Sequence, residues 1–151
     1  MSTSEKGFQE NFLQIRSLRY KTIMKVNVIL ITYNHSQYIR QTLESILVQE
    51  ISHEVEIIVA DDCSPDNTVD IIREYQDKTS FTFTFLEERQ NLGYIRNYQR
   101  AFAACTGDYV AIMEGDDYWH KPNHLQNHID YLEKYPESSM SFNIGKKFLS
   151  G

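Results

Sequence analysis

The strongest constraint in this chain is a pair of short apolar runs, Val26–Ile31 (VNVILI) and Val55–Ala60 (VEIIVA), each broken by a single polar residue. Both are rich in β-branched residues and lack the polar alternation of a strand with one wet face. Such runs suit strands covered on both sides, as in parallel sheets flanked by helices. The sequence around them agrees. Ser36 is placed to cap a helix with Ile39, Leu43, Ile46 and Leu47 on one face, and Asp66 to cap a second with Val69, Ile72 and Tyr75 inward. Phe81–Leu86 alternates as a third strand, and Tyr94–Ala104 reads as a helix stopped at Thr106-Gly107. Tyr109–Met113 is a fourth strand. Pro122 opens a fourth helix with Leu125, Ile129 and Leu132 inward, Pro136 follows it, and Met140–Asn143 is expected to begin a fifth strand. This order predicts an α/β domain with a mostly parallel, Rossmann-like sheet flanked by helices and left unclosed at Gly151.

Composition narrows the function. With 151 residues, 41% of them hydrophobic and 24% charged, the chain can bury one core, which excludes disorder. Fifteen basic against twenty-one acidic residues give a formal charge of −6, so no electrostatic footprint for a nucleic-acid partner exists. The acidic balance suits a site that gathers a divalent cation before an anionic ligand. Cys63 and Cys105 have no metal-ligand spacing and read as reduced thiols. No apolar stretch is long enough to span a membrane, and the first residues carry no signal core. The expectation is a soluble, cytoplasmic protein. Residues 1–25 stand apart: Ser2 and Glu5 form a capping-box pattern, with Phe8, Phe12, Ile15 and Arg19 at helical spacing. They are expected to form a helical extension before a domain at 26–144 and a tail at 145–151.

Ligands of open parallel sheets bind outside the carboxyl ends of the strands. Polar clusters fall at three such ends: Thr32-Tyr33-Asn34, Asp61-Asp62, and Glu114-Gly115-Asp116-Asp117. Any one alone would pass for a helix cap or a solvated turn. Two pairs of adjacent aspartates are less easily dismissed, because adjacent carboxylates repel and a cation or polarised ligand group would relieve them.

The ordered segments VNVILITYNHSQYIRQTLESILVQ, VEIIVADDCSPDNTVDIIREY and NLGYIRNYQRAFAACTGDYVAIMEGDDYW resemble the nucleotide-sugar-binding half of family 2 glycosyltransferases, from Val26 to Asn143. The resemblance implies the GT-A fold of the spore-coat-polysaccharide-synthase type and a UDP-sugar donor. By position, it implies that Tyr33 stacks on uracil while Thr32 and Asn34 line the same pocket. Asp62 accepts the uracil N3–H with Asp61 beside it, and Arg96, or else Asn97 or Arg100, lies near the nucleotide. An ionised carboxylate is acceptor-only, which favours an imide N–H over the bare N3 of cytosine. Asn91 and Gly93 shape that loop. Glu114 to Asp117 takes the place of the DxD-type motif, with Asp116 facing ribose and metal and Asp117 the main ligand of Mn²⁺ or Mg²⁺. Three positions depart from the family pattern: Ile31 where proline is frequent, Cys63 where glycine is frequent, and Glu114 where aspartate is common.

The implied reaction is an inverting transfer to a saccharide or lipid-linked saccharide in surface or capsular polysaccharide synthesis, in the cytoplasm or against the inner face of the membrane. Homo-oligomerisation stays open. The family's catalytic base is an acidic residue well after the DxD segment. Only Asp130, Glu133 and Glu137 follow Asp117, on or just past a surface helix, so the base is expected beyond Gly151. A non-catalytic nucleotide-sugar-binding module is the alternative.

The remaining chemistry-bearing residues are read blandly. His120, His124 and His128 look like a zinc face, but Pro122 starts the helix after His120 and no cysteine is near, so they read as solvated. His35 and His53 are read as surface residues, and Trp119 as either core or ligand contact. A receiver domain would need its acid pair after the first strand. A dinucleotide oxidoreductase would need GxGxxG there, and no glycine lies between Gly7 and Gly93.

Overall fold

A computed structural model describes residues 22–87 and 89–145. The expected helix near the N-terminus and the last residues of the tail lie outside the described residues. Strand β1 (Lys25–Thr32) is followed by α1 (Ile39–Leu47), β2 (Glu54–Asp61), α2 (Thr68–Arg73) and a 3₁₀ turn at Gln76–Lys78. Then come β3 (Thr82–Phe85), α3 (Tyr94–Ala104), β4 (Tyr109–Glu114) and α4 (His124–Lys134). The sheet order is β3-β2-β1-β4, and every pairing is parallel.

The two faces of the sheet are covered unequally. Val26, Val28 and Leu30 of β1, with Val55, Ile57 and Val59 of β2, meet α1, α2 and α4 in the main core. Ile29, Ile31 and Ala60 turn the other way and meet Ala101 of α3. β1 is therefore buried on both faces and paired on both edges, the setting its apolar run foretold.

Two polar residues inside this core were not legible as core. Asn27 is fully buried; its Nδ2 donates to Glu56 Oε2 at 2.8 Å, and its Oδ1 accepts from the N–H groups of Thr106 and Gly107 at 2.8 and 2.6 Å. It thus pins the end of α3 to the sheet. Gly107 packs so closely that a Cβ would lie 2.7 Å from the Lys25 carbonyl. His53, expected at the surface, is buried, with Nδ1 accepting the Met24 N–H at 3.3 Å.

Helix entries also differ from expectation. Ser36 does not cap α1; the His35 carbonyl accepts from Tyr38 and Ile39 instead. Asp66 serves two segments, its Oδ1 accepting the Thr68 N–H and its Oδ2 the Ser36 N–H. Burial would raise the Asp66 carboxyl, but hydrogen bonds from Thr68 and Ser36 outweigh it and hold it well below the usual carboxylate range. No fifth strand forms at Met140–Asn143. Met140 and Phe142 are exposed there, so the alternating pattern finds no neighbouring strand to pair with among the described residues.

Asn27→Leu keeps the volume but strands the Thr106 and Gly107 amides, while Lys25 keeps Glu56 paired. It is expected to cost about 1–3 kcal/mol in urea unfolding. An unchanged midpoint would show that these groups find water instead.

Candidate functional site

The parallel register aligns three strand ends. Thr32 lies opposite Asp61, and Ile31 opposite Glu114, so the loops that follow β1, β2 and β4 leave one edge side by side. The three polar clusters of the sequence are thereby brought together.

The two aspartates after β2 draw on donors from different loops. Asp61 Oδ2 accepts from Thr32 Oγ1 at 2.8 Å and from the Ser64 hydroxyl, while Oδ1 accepts the Ser64 N–H at 2.8 Å. Asp62 is 4% exposed and accepts the N–H groups of Leu92 at 2.7 Å and Gly93 at 2.9 Å. These amides precede α3, where a negative charge is favoured by the helix dipole. The repulsion that the sequence suggested a cation would relieve is here offset by protein N–H and O–H groups. Both loops take left-handed backbone, at Asn34 (φ 58°) and at Cys63 (φ 61°), a conformation glycine adopts most freely.

Three α3 residues stood as candidates near the nucleotide, and the structure separates them. Asn97 is buried and donates to the Ala60 carbonyl at 2.7 Å. Arg100 donates to Asn97 Oδ1 at 2.7 Å and to the carbonyls of Leu86 and Asp61 at 2.8 and 2.6 Å. Arg96 alone of the three is exposed. Tyr33 is 47% exposed at the same edge, while Thr32 is fully buried beneath it. Asn34 is exposed, its N–H donating to Ser64 Oγ at 2.8 Å.

The acidic turn after β4 differs from the Asp61-Asp62 pair. Glu114 accepts from the Tyr98 hydroxyl at 2.8 Å and the Tyr94 hydroxyl at 3.3 Å. Burial and that carboxylate push the Tyr98 phenol far above its usual value, which keeps it a donor. Gly115 has no room for a side chain: a Cβ would lie 2.6 Å from His35 Nδ1 and 2.7 Å from Thr32 Cγ2. Asp116 and Asp117 are both exposed. Burial, then the charges of Asp116 and Glu114, raise the Asp117 carboxyl above its ordinary value. Only His35 works against this shift. His35, read from the sequence as a surface residue, is tucked beside this turn with Nε2 3.9 Å from Asp116 Oδ1.

Among the described residues no three His, Cys, Asp or Glu side chains form a ready-made metal cage. Two exposed carboxylates under mutual repulsion nonetheless fit a hard divalent cation whose other ligands are water and oxygens of an anionic partner.

Trp119 follows the acidic turn and packs on the main core, its N–H donating to Ser45 Oγ at 3.1 Å. Its indole stacks on His124, with centroids 4.9 Å apart, and His124 meets His128 at 4.6 Å. These histidines are half-buried in an aromatic stack rather than solvated. Burial, and the neighbouring His128, lower His124 from 6.5 to about 4.

The sequence model of glycosyl transferase family 2 matches residues 27–150, and the chain belongs to that family. It is 35% identical over 108 residues to a putative teichuronic acid biosynthesis glycosyltransferase of Bacillus subtilis, covering 71% of this chain and 41% of that protein. The crystal structure of Staphylococcus aureus TarS in complex with UDP-GlcNAc superimposes with a TM-score of 0.66 at 30% identity, over 75% of this chain and 32% of that one. A Pyrobaculum calidifontis mannosyltransferase in complex with GDP-Man and Mn²⁺ shares the fold, with a TM-score of 0.66 at 24% identity over 83% of this chain and 39% of that one. The fold is thus that of GT-A glycosyltransferases. The chain spans about a third of the length of the curated relatives it matches. No helix among the described residues is long and apolar enough to cross a membrane.

The stacked histidines set an acid sensitivity. Between the ordinary value of 6.5 and about 4, unfolded chains bind a proton that folded His124 refuses, so stability falls as pH drops through that window. His124→Gln is expected to flatten this part of the stability profile in urea titrations across it. An unaltered slope would place the acid sensitivity elsewhere.

Proposed function

We propose that this chain binds the donor of an inverting glycosyltransferase that uses a UDP-sugar with Mn²⁺ or Mg²⁺, in surface or capsular polysaccharide assembly. The observation that carries this reading is the exposed pair Asp116-Asp117, on the same edge as Thr32, Tyr33 and Asp61. TarS, a family relative, is known in complex with UDP and with UDP-GlcNAc, which supports a uridine donor.

In this reading the exposed Tyr33 ring stacks on uracil above Thr32, and Asn34 borders the same pocket. Asp62 accepts the N3–H with lone pairs its two amide bonds leave over, and Asp61 stands beside it. Arg96 reaches toward the diphosphate. Asp116 faces ribose and metal, and Asp117 is the principal ligand. The ion's chemistry there is to neutralise charge that develops on the departing diphosphate. Glu114, held by two tyrosine hydroxyls, supports the turn.

Inversion requires a base to take the acceptor hydroxyl's proton as that oxygen attacks the anomeric carbon and the nucleoside diphosphate leaves. Asp130, Glu133 and Glu137 are exposed on or past α4, and none is assigned this role. The base and the site for a saccharide or lipid-linked saccharide acceptor are assigned to sequence outside these 151 residues. The same placement of carboxylates favours, as a second reading, a module that binds nucleotide sugar without turnover. We place the reaction in the cytoplasm.

Calorimetry with UDP in Mn²⁺ tests the proposal. UDP is expected to bind more tightly than CDP, and Asp117→Ala to abolish the Mn²⁺-dependent part of binding while the thermal transition survives. Equal UDP and CDP affinity would remove the base assignment. UDP affinity indifferent to a chelator would remove the metal assignment.

A further inference from the structure

Arg100 was one of three α3 candidates, with Arg96 and Asn97, for a place near the nucleotide, and the structure gives it different work. Its guanidinium spends donors on three segments: Nε on Asn97 of its own helix, Nη1 on the Leu86 carbonyl just past β3, and Nη2 on the Asp61 carbonyl ending β2. The neighbouring Asn97 amide grips the Ala60 carbonyl. Two adjacent residues of β2 and the exit of β3 are thus held from one helix face. The Leu86 N–H is bonded in turn to the Val59 carbonyl at 2.9 Å.

The two residues whose carbonyls Arg100 grips also line a cavity. It measures about 190 Å³ and is walled by Val59, Val69 and Phe85, with Asp61, Leu86 and Glu87 completing it. Asp61 is held twice, its carbonyl by Arg100 and its carboxylate by Thr32 and Ser64.

We propose that Arg100 is a positioning residue for base selection: by gripping the carbonyl of Asp61 it fixes the end of β2 that carries Asp62, the carboxylate assigned to the base N3–H and bonded to the Leu92 and Gly93 amides. This rests on the nucleotide-sugar reading above. The fork matters as well as the charge, because a planar guanidinium satisfies three acceptors in fixed directions and an ammonium does not.

Arg100→Lys keeps the charge and removes the fork. In the folded variant, UDP and uridine affinities are expected to fall about tenfold, the scale of one charge-assisted hydrogen bond. The preference for UDP over CDP shrinks with them. Binding of pyrophosphate with Mn²⁺ is expected to stay unchanged, because the Asp116-Asp117 turn is not touched. A merely structural role would weaken pyrophosphate and UDP alike, and that result, or an unaltered UDP-to-CDP ratio, overturns the proposal. If Arg100→Lys shows no cooperative thermal transition, hydrogen exchange in the parent protein decides. Uridine without phosphate is expected to slow exchange at the Leu92 and Gly93 amides that Asp62 holds, and no protection there overturns the proposal. A parent protein that binds neither UDP nor uridine defeats the donor reading itself, which separates that failure from this one.

Discussion

Everything at the functional edge depends on β1 being paired in parallel on both sides. Parallel neighbours cannot be joined by tight turns, so each connection crosses the sheet and returns through a helix. The carboxyl ends therefore collect at one edge and the tight packing at the other. Lys25 and Asn27 lie toward the packed end, where Lys25 Nζ meets Glu56 Oε2 at 2.7 Å and Thr84 donates to the same carboxylate. The Lys25 contact, then the Thr84 and Asn27 bonds, hold the Glu56 carboxyl below its usual range. Polar groups at this end are spent on one another, which fixes register and leaves the opposite end open for a ligand.

Two acidic pairs of similar sequence then diverge in electrostatics. Asp61 and Asp62 each receive protein donors, so their charge is consumed in holding loops. Among the described residues Asp116 and Asp117 receive little beyond the distant His35 ring, and Asp117 is raised by burial and then by the charges of Asp116 and Glu114. A reader of the sequence sees two Asp-Asp pairs at two strand ends and grants both the same need for a cation. The difference is made by partners, most of them far along the chain: Thr32 and Leu92-Gly93 with the nearby Ser64 for one pair, and no equivalent among the described residues for the other.

That contrast marks what sequence could and could not convey. Strand and helix order follows from local periodicity, which is why Tyr94–Ala104 matches its helix residue for residue. Side-chain fate depends on partners distant in sequence. Asn27 looked like a flaw in a strand and is a three-way bridge to Glu56, Thr106 and Gly107. His35 and His53 looked exposed because isolated histidines usually are. Met140–Asn143 alternates as a strand would, yet alternation alone forms nothing without an edge to pair with. The glycine in the acidic turn was visible, but nothing local said that Thr32 and His35 would press against it.

Thr32 joins the two halves of the site. Its hydroxyl donates to Asp61, on the loop assigned to the nucleoside, while its methyl crowds the position where a Cβ on Gly115 would stand. The turn that carries Asp116 and Asp117 is also tied to β1 through the Gly115 N–H and Ile31 carbonyl at 2.8 Å, and to α1 through the Gly115 carbonyl and Thr42 Oγ1 at 2.9 Å. A shift of one subsite cannot leave the other in place, because the same buried threonine is a wall of both. A site that must hold a base at one end and a cation at the other gains from such a shared wall. The separation between the two is then set by a β-strand, the stiffest element the fold contains, rather than by two loops moving independently.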